Sequence, residues 1–331
     1  MNTDNRLLPW VELYRPTTMN EIKSQKHIIR TINNFLETKT FPHLLFYGPP
    51  GTGKTSTILC CARKLYGEYY SSAIMLINAS NDRGIDTVRK TIKNFVISDT
   101  RFFLPENIRT IFKIVILDEI DSMTSDAQGV LRQTIEKYSA TTRFCLICNE
   151  IDRVNLALQS RYAMFRFPSL SNKLVREKLL EICKSENIEY SNNAIESLVN
   201  VSKGDMRLSI NLLQQIASLS DNKITKNDVY KLSNQCSPEI IDKIINILKK
   251  LISNKLNLNN AIIAIEKKML ENNITIPNIL EKMGEYVINT DFPVDKKIKI
   301  INKLATFEIY DSVNVDSHIN MINIISSFCI G

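Results

Sequence analysis

The run Gly48-Pro49-Pro50-Gly51-Thr52-Gly53-Lys54-Thr55 constrains this 331-residue chain more than any other stretch. It fits G-x-x-x-x-G-K-[ST], follows an apolar run (Phe41–Tyr47) and precedes a helical pattern, so it reads as strand, glycine-rich turn and helix. Glycines let the backbone curl until its N–H groups converge on phosphate oxygens. The first turn of the helix, which includes Ser56, adds unpaired donors and the positive end of its dipole. In that frame Lys54 reaches the β- and γ-phosphates and Thr55 holds Mg²⁺. The expected ligand is a nucleoside triphosphate.

Four more short apolar runs accompany the one at Leu44–Tyr47: Ile74–Asn78, Ile111–Asp118, Arg143–Asn149 and Met164–Phe167. Continuous β-branched and aromatic runs bounded by polar turns read as strands buried on both faces. Their alternation with helical sequence predicts an α/β domain with a parallel, doubly wound five-stranded sheet. From about residue 169 no further strand is expected and helical periodicity takes over, as in the stripe Ile240, Ile241, Ile244, Ile245, Leu248 and Leu251. The expected division is an α/β domain at 1–167, a small all-α domain at 168–234 and a second all-α domain at 235–331. Pro9-Trp10-Val11-Glu12-Leu13-Tyr14-Arg15-Pro16, with proline at both ends, reads as an extended segment packed on the rest.

No run of about 18 apolar residues is present, so no membrane span is expected. Seven cysteines, an odd number, point to reduced thiols in a cytosolic or nuclear compartment. Cys145 and Cys148 have the spacing of half a zinc site, but residues i and i+3 of a strand face opposite sides and cannot share an ion. The net charge of +7 is what a solvated surface carries and does not by itself select nucleic acid.

The third apolar run ends in Asp118-Glu119. An acidic pair at the carboxyl end of a buried parallel strand lies beside the phosphate loop. Asp118 is expected to hold the Mg²⁺ and Glu119 to orient and partly deprotonate the attacking water, which makes hydrolysis the expected reaction. Asn149 closes the next strand, where its amide reaches both γ-phosphate and water. Arg161 begins the exit from the α/β domain, and Arg207 lies on the first turn of a later helix.

With these residues in view, the chain resembles the small subunits of replication factor C, the AAA+ clamp loader. The likeness runs in register over about residues 9–234 and in character beyond. It rests on Gly48–Thr55 as Walker A, Ile116-Leu117-Asp118-Glu119 as Walker B, and the segments Asn78–Asp86 and Arg143–Asn149. Resemblance implies that Pro9–Pro16, with Val11, Tyr14, Arg15 and Pro16, lies against adenine. It implies that Asn149 is the first sensor, Arg207 the second sensor in a helical lid, and Arg161 an arginine finger. It further implies a five-subunit arc of different subunits in which ATP sits between neighbours and Arg161 serves the next subunit's nucleotide. The last helical domain would be the collar of that arc. A PCNA-type sliding clamp and primer–template DNA are the implied partners, with a nuclear location, or a cytoplasmic one if the source is viral or lacks a nucleus. Arg83, Arg89, Lys93 and Ser125 are the candidates for phosphate contacts. Val96, Phe102 and Phe103 are the candidates for the clamp, docking into a pocket or serving as core.

The chain departs from the family pattern in carrying Tyr162 for a Cys after Arg161, Glu150 after Asn149, Leu13 for a Lys, Ile120 in Asp-Glu-Ile-Asp, and Gln133 beside Arg132. None removes a catalytic group. Two other readings share these motifs: a nucleotide-binding structural subunit that does not hydrolyse, and a different AAA+ DNA motor.

Overall fold

The structure, a computed structural model, describes residues 8–22, 24–38, 40–80, 85–98, 112–219, 223–233, 235–253, 255–272, 275–312 and 317–328. Contacts group it into two compact units, residues 1–188 with 198–214 and residues 189–197 with 215–331.

In the first unit, strands β1 (Leu44–Tyr47), β2 (Ile74–Asn78), β3 (Lys113–Asp118), β4 (Thr142–Cys148) and β5 (Ala163–Arg166) form one sheet in the order β2-β3-β4-β1-β5. Every pairing is parallel, with Leu44 opposite Cys145 and Ala163, and Ile114 opposite Ile74 and Arg143. Alternation divides the apolar runs between two cores. Leu44, Phe46, Ile114, Ile116, Cys145 and Ile147 pack on one face with α2 (Lys26–Glu37) and α3 (Lys54–Tyr66). Leu45, Val115, Leu117, Leu146 and Cys148 face α5 (Ile85–Ile97) and α6 (Ser125–Tyr138). The central strands β1, β3 and β4 are therefore covered on both faces, as continuous rather than alternating apolar runs require. The edge strands β2 and β5 depart from that expectation, with Leu76 and Met164 exposed, because an edge strand has a neighbour on one side only. Cys145 and Cys148 fall in opposite cores, as the strand reading expected.

Two expectations need correction. The segment after Pro9 is not extended: Trp10–Leu13 forms a single helical turn, α1. Proline immediately before a helix costs nothing, because the first N–H groups have no intrahelical partner anyway, and only Pro16 blocks continuation. After residue 169 two very short strands do occur, Glu189–Tyr190 paired in parallel with Lys223–Ile224 (β6 and β7), too brief to leave an apolar run. The β4 boundary also shifts, since Asn149 sends its N–H to Asp121 instead of the ladder.

Among the described residues the other α-helices are α4 (Tyr70–Ala73), α7 (Leu156–Gln159), α8 (Asn172–Ser185), α9 (Asn192–Ser202), α10 (Met206–Leu219), α11 (Lys226–Ser233), α12 (Pro238–Ile252), α13 (Leu258–Asn272), α14 (Ile276–Asn289), α15 (Val294–Ser312) and α16 (Ser317–Ser327). Within the second unit α12 to α16 share a core that includes Ile244, Leu248, Ile265, Val287, Ile300 and Phe328. Among the described residues no helix is long and apolar enough to cross a membrane. The six described cysteines are buried and free.

Candidate nucleotide-binding site

At the carboxyl edge of the sheet, β1 runs into the glycine loop and the loop into α3. Gly48, Gly51 and Gly53 all have positive φ, at 138°, 67° and 93°. A Cβ on Gly48 would lie 2.1 Å from the backbone oxygen of Phe167, and one on Gly51 1.7 Å from Oδ1 of Asp205. These two positions admit glycine alone.

Lys54 opens α3 with a buried side chain, 7% exposed. Its ammonium donates to Gly48 O at 2.6 Å, Pro49 O at 2.8 Å and Asn149 Oδ1 at 2.9 Å. All three are neutral oxygens, and burial pulls the lysine pKa below its ordinary value, with Asp118 opposing. A cation in that state gains from an arriving anion. Next to it Thr55 donates its hydroxyl to Asp118 Oδ2 at 2.8 Å, while Asp118 Oδ1 accepts the Glu119 N–H at 3.0 Å. A hydroxyl and a carboxylate converging so closely are the hard oxygen donors that suit Mg²⁺.

Glu119 sits in the left-handed region at φ 58°. For a non-glycine residue that conformation costs about 1–2 kcal/mol. The turn is held by Ser122, whose N–H and hydroxyl both donate to Glu119 O, at 3.0 and 2.7 Å. Asp121 ties this turn to the end of β4, accepting from the N–H groups of Asn149 (2.9 Å) and Glu150 (3.1 Å). Sequence reasoning missed Asp121 as a site residue, although it closes the Asp-Glu-Ile-Asp box.

A cavity of about 350 Å³ joins these groups. One wall is the loop and α3 start, Pro50 to Ser56, with Asp118, Glu119 and Asn149 opposite. The N-terminal turn supplies Val11, Tyr14, Arg15 and Pro16, and α10 supplies Arg207. Gly48 and Pro49 contribute through their carbonyls to Lys54 instead of lining the space. Leu174, Lys178 and Glu181 of α8, and Met206 and Ile210 of α10, also line the cavity; these were not foreseen, because they reach the phosphate loop from over a hundred residues away. The N-terminal turn is fastened to the same helices. Trp10 N–H donates to Gln214 Oε1 at 3.1 Å, Lys178 lies 5.7 Å from the centre of the Tyr14 ring, and the Tyr14 hydroxyl donates to Glu186. Burial, with Glu186 adding, pushes the Tyr14 pKa up to about 12.

Arg161 stands apart from that cavity. It follows α7, is 47% exposed, and pairs with Glu136, which also takes Arg132 Nε at 3.3 Å. Tyr162 beside it is buried, its ring 5.6 Å from that of His43 and its hydroxyl without a hydrogen-bond partner. Lys93 is exposed on α5, and Ser125 is exposed as the first residue of α6. Val96 instead leans on the core under α5. Arg83, Phe102 and Phe103, and the side chain of Arg89, lie outside the described residues.

Three family models match in sequence order: the ATPase family associated with various cellular activities (AAA) at residues 44–170, an RCF1/5-like AAA+ ATPase lid domain at 177–218, and the replication factor C C-terminal domain at 236–327. A putative replication factor C small subunit of Acanthamoeba polyphaga mimivirus is 52% identical over 94% of this chain and 91% of its own length. Replication factor C subunit 5 of Homo sapiens is 39% identical over 98% of this chain and 93% of its own. Among solved structures, a Thermotoga maritima RuvB variant matches at a TM-score of 0.51 and 18% identity, covering 81% of this chain and 90% of that one, a likeness of fold alone. With the phosphate loop, the acidic strand end and the cavity between them in place, the chain belongs to the replication factor C small-subunit family of AAA+ ATPases.

Proposed function

We propose that this chain is an ATPase subunit of a clamp loader whose active site is completed by a neighbouring subunit. ATP enters the cavity with its base between the N-terminal turn and α8, and its phosphates on the loop. Lys54 neutralises phosphate charge, and Thr55 and Asp118 are the residues that would hold Mg²⁺. When bound, that ion offsets the charge developing on the phosphate oxygens. Glu119 takes the proton of the attacking water, and Asn149, tethered to Lys54, orients water and γ-phosphate together. Arg207 brings α10 into register with the phosphate end.

The observation that carries this reading is the exclusion of Arg161 from a cavity that gathers every other catalytic candidate. A guanidinium exposed outside that cavity serves a nucleotide held by another chain, and such a group in trans is worth about 10³–10⁵ in rate. In this reading residues 1–167 bind ATP, 168–234 form the lid and 235–331 the collar, in a mixed assembly with other replication factor C subunits. Opening a PCNA-type clamp and placing it on primer–template DNA uses Lys93, Ser125, Arg83 and Arg89 toward phosphates, and Val96, Phe102 and Phe103 toward the clamp. The compartment follows the replicating DNA, nuclear in a cell or cytoplasmic in a viral factory.

The test compares ATP hydrolysis by the isolated chain with that of the complex it forms with its co-expressed partner subunits, clamp and primed DNA. Turnover rising by at least about a hundredfold on assembly fits the trans arginine. Full turnover by the isolated chain, unchanged by partners, rejects it.

A further inference from the structure

The ion pairs of Arg161 raise a question that overall stability does not answer. Glu136 Oε1 receives both Arg161 Nη1 and, at 3.3 Å, Arg132 Nε. Arg132 and Glu136 are one helical turn apart on α6, whereas Arg161 comes from beyond α7, so a single carboxylate oxygen gathers two guanidinium groups from separate elements. The three side chains are 43%, 38% and 47% exposed. Pairs this open to water add little to folding. Their consequence is geometric: a long, rotamer-rich side chain is held in one arrangement, and two like charges are kept together that would otherwise separate. The root of Arg161 is fixed as well, because the next residue, Tyr162, is sunk in the core against His43. Anchored at its base by Tyr162 and drawn at its tip by Glu136, the guanidinium is set before any nucleotide arrives.

We propose that Glu136 is a positioning residue for hydrolysis on the adjacent subunit, aiming Arg161 with Arg132 at its side as a preformed two-arginine pair. The inference rests on the reading of Arg161 as an arginine acting in trans. Groups already oriented toward developing charge spend no reorganisation at the moment of reaction, so the loss on removing Glu136 falls on turnover and not on nucleotide binding.

The test uses the assembled complex with Lys54→Ala in this chain, which silences its own pocket and leaves the neighbouring sites to be read. Against that background Arg161→Ala, Glu136→Gln and Glu136→Asp are compared for kcat and KM, with assembly and melting temperature followed alongside. Glu136→Gln is expected to lower kcat by about tenfold with KM unchanged, as a misplacement of catalytic groups does. Glu136→Asp should recover most of it, and adding Glu136→Gln to Arg161→Ala should cost nothing more. If Arg161→Ala stops hydrolysis while both Glu136 variants turn over normally, Arg161 acts in trans without Glu136 and the inference is wrong. A rise in kcat with Glu136→Gln also overturns it, since the carboxylate would then restrain the arginine. If Arg161→Ala itself has no effect, the trans reading has failed and this inference goes with it.

Discussion

At the scale of single residues, the site separates holding charge from moving protons. Lys54 is buried among neutral acceptors, and each oxygen of Asp118 accepts a hydrogen bond. Glu119 lines the cavity on a strained turn, and in the proposed mechanism it is the base. Glu119→Gln should keep ATP affinity while reducing kcat in the assembled complex by about 10²–10⁴. Equilibrium binding with a fluorescent ATP analogue beside steady-state turnover checks both halves. His43 supplies a pH effect remote from catalysis. Its Nδ1 accepts the Phe144 N–H at 3.1 Å, and burial, helped by Arg143, depresses its pKa from 6.5 to about 4. The unfolded chain then binds more protons than the folded one between those values, so stability is lost as pH falls from 6.5 toward 4. Because part of the ring meets water, the loss should not exceed about 2 kcal/mol. Denaturant midpoints at pH 7 and 4.5 should differ for the native chain and differ less for His43→Gln.

At the scale of elements, the glycine loop is confined from two directions. Phe167, just past β5, closes on Gly48, and the start of α10 closes on Gly51, where Asp205 also accepts the Leu208 N–H at 3.1 Å as a helix cap. Gly48→Ala forces a Cβ into a backbone carbonyl at positive φ, with no side chain able to move aside. It should destabilise the fold by at least about 2 kcal/mol, read as a lowered melting temperature in the absence of nucleotide. The loop and α10 are also joined directly, Met206 N–H donating to Gly51 O at 3.3 Å, so a shift of the loop meets the start of the helix.

At the scale of the whole molecule, the second unit leaves apolar surface that its own core does not use. Ile263 and Leu270, seven residues apart on α13, are 63% and 80% exposed, and Ile298 and Ile309 on α15 are 51% and 63% exposed. Spacing of seven places the α13 pair on one stripe. Exposed stripes of this kind favour association between chains. Ile263→Asp with Leu270→Asp should leave the melting temperature nearly unchanged, as surface changes of about 0.5 kcal/mol or less do, while reducing incorporation into the complex on size-exclusion chromatography.

The sequence by itself determined the strands, the burial of the three central ones on both faces and the catalytic candidates, because each of these is local; the edge strands β2 and β5, which read the same way, keep Leu76 and Met164 exposed. Apolar runs of four to eight residues and a Gly-x-x-x-x-Gly-Lys-Thr turn carry their meaning within a few positions. It did not disclose the single helical turn at Trp10–Leu13, where two prolines mimic an extended segment, nor the two-residue pairing of Glu189–Tyr190 with Lys223–Ile224. Only the tertiary structure decided that Leu174, Lys178 and Ile210 wall the cavity, that Asp121 braces Asn149, and that Arg161 points away toward Glu136. Those contacts join residues separated by tens to hundreds of positions, and no local periodicity encodes which distant side chain will close a pocket or share a carboxylate.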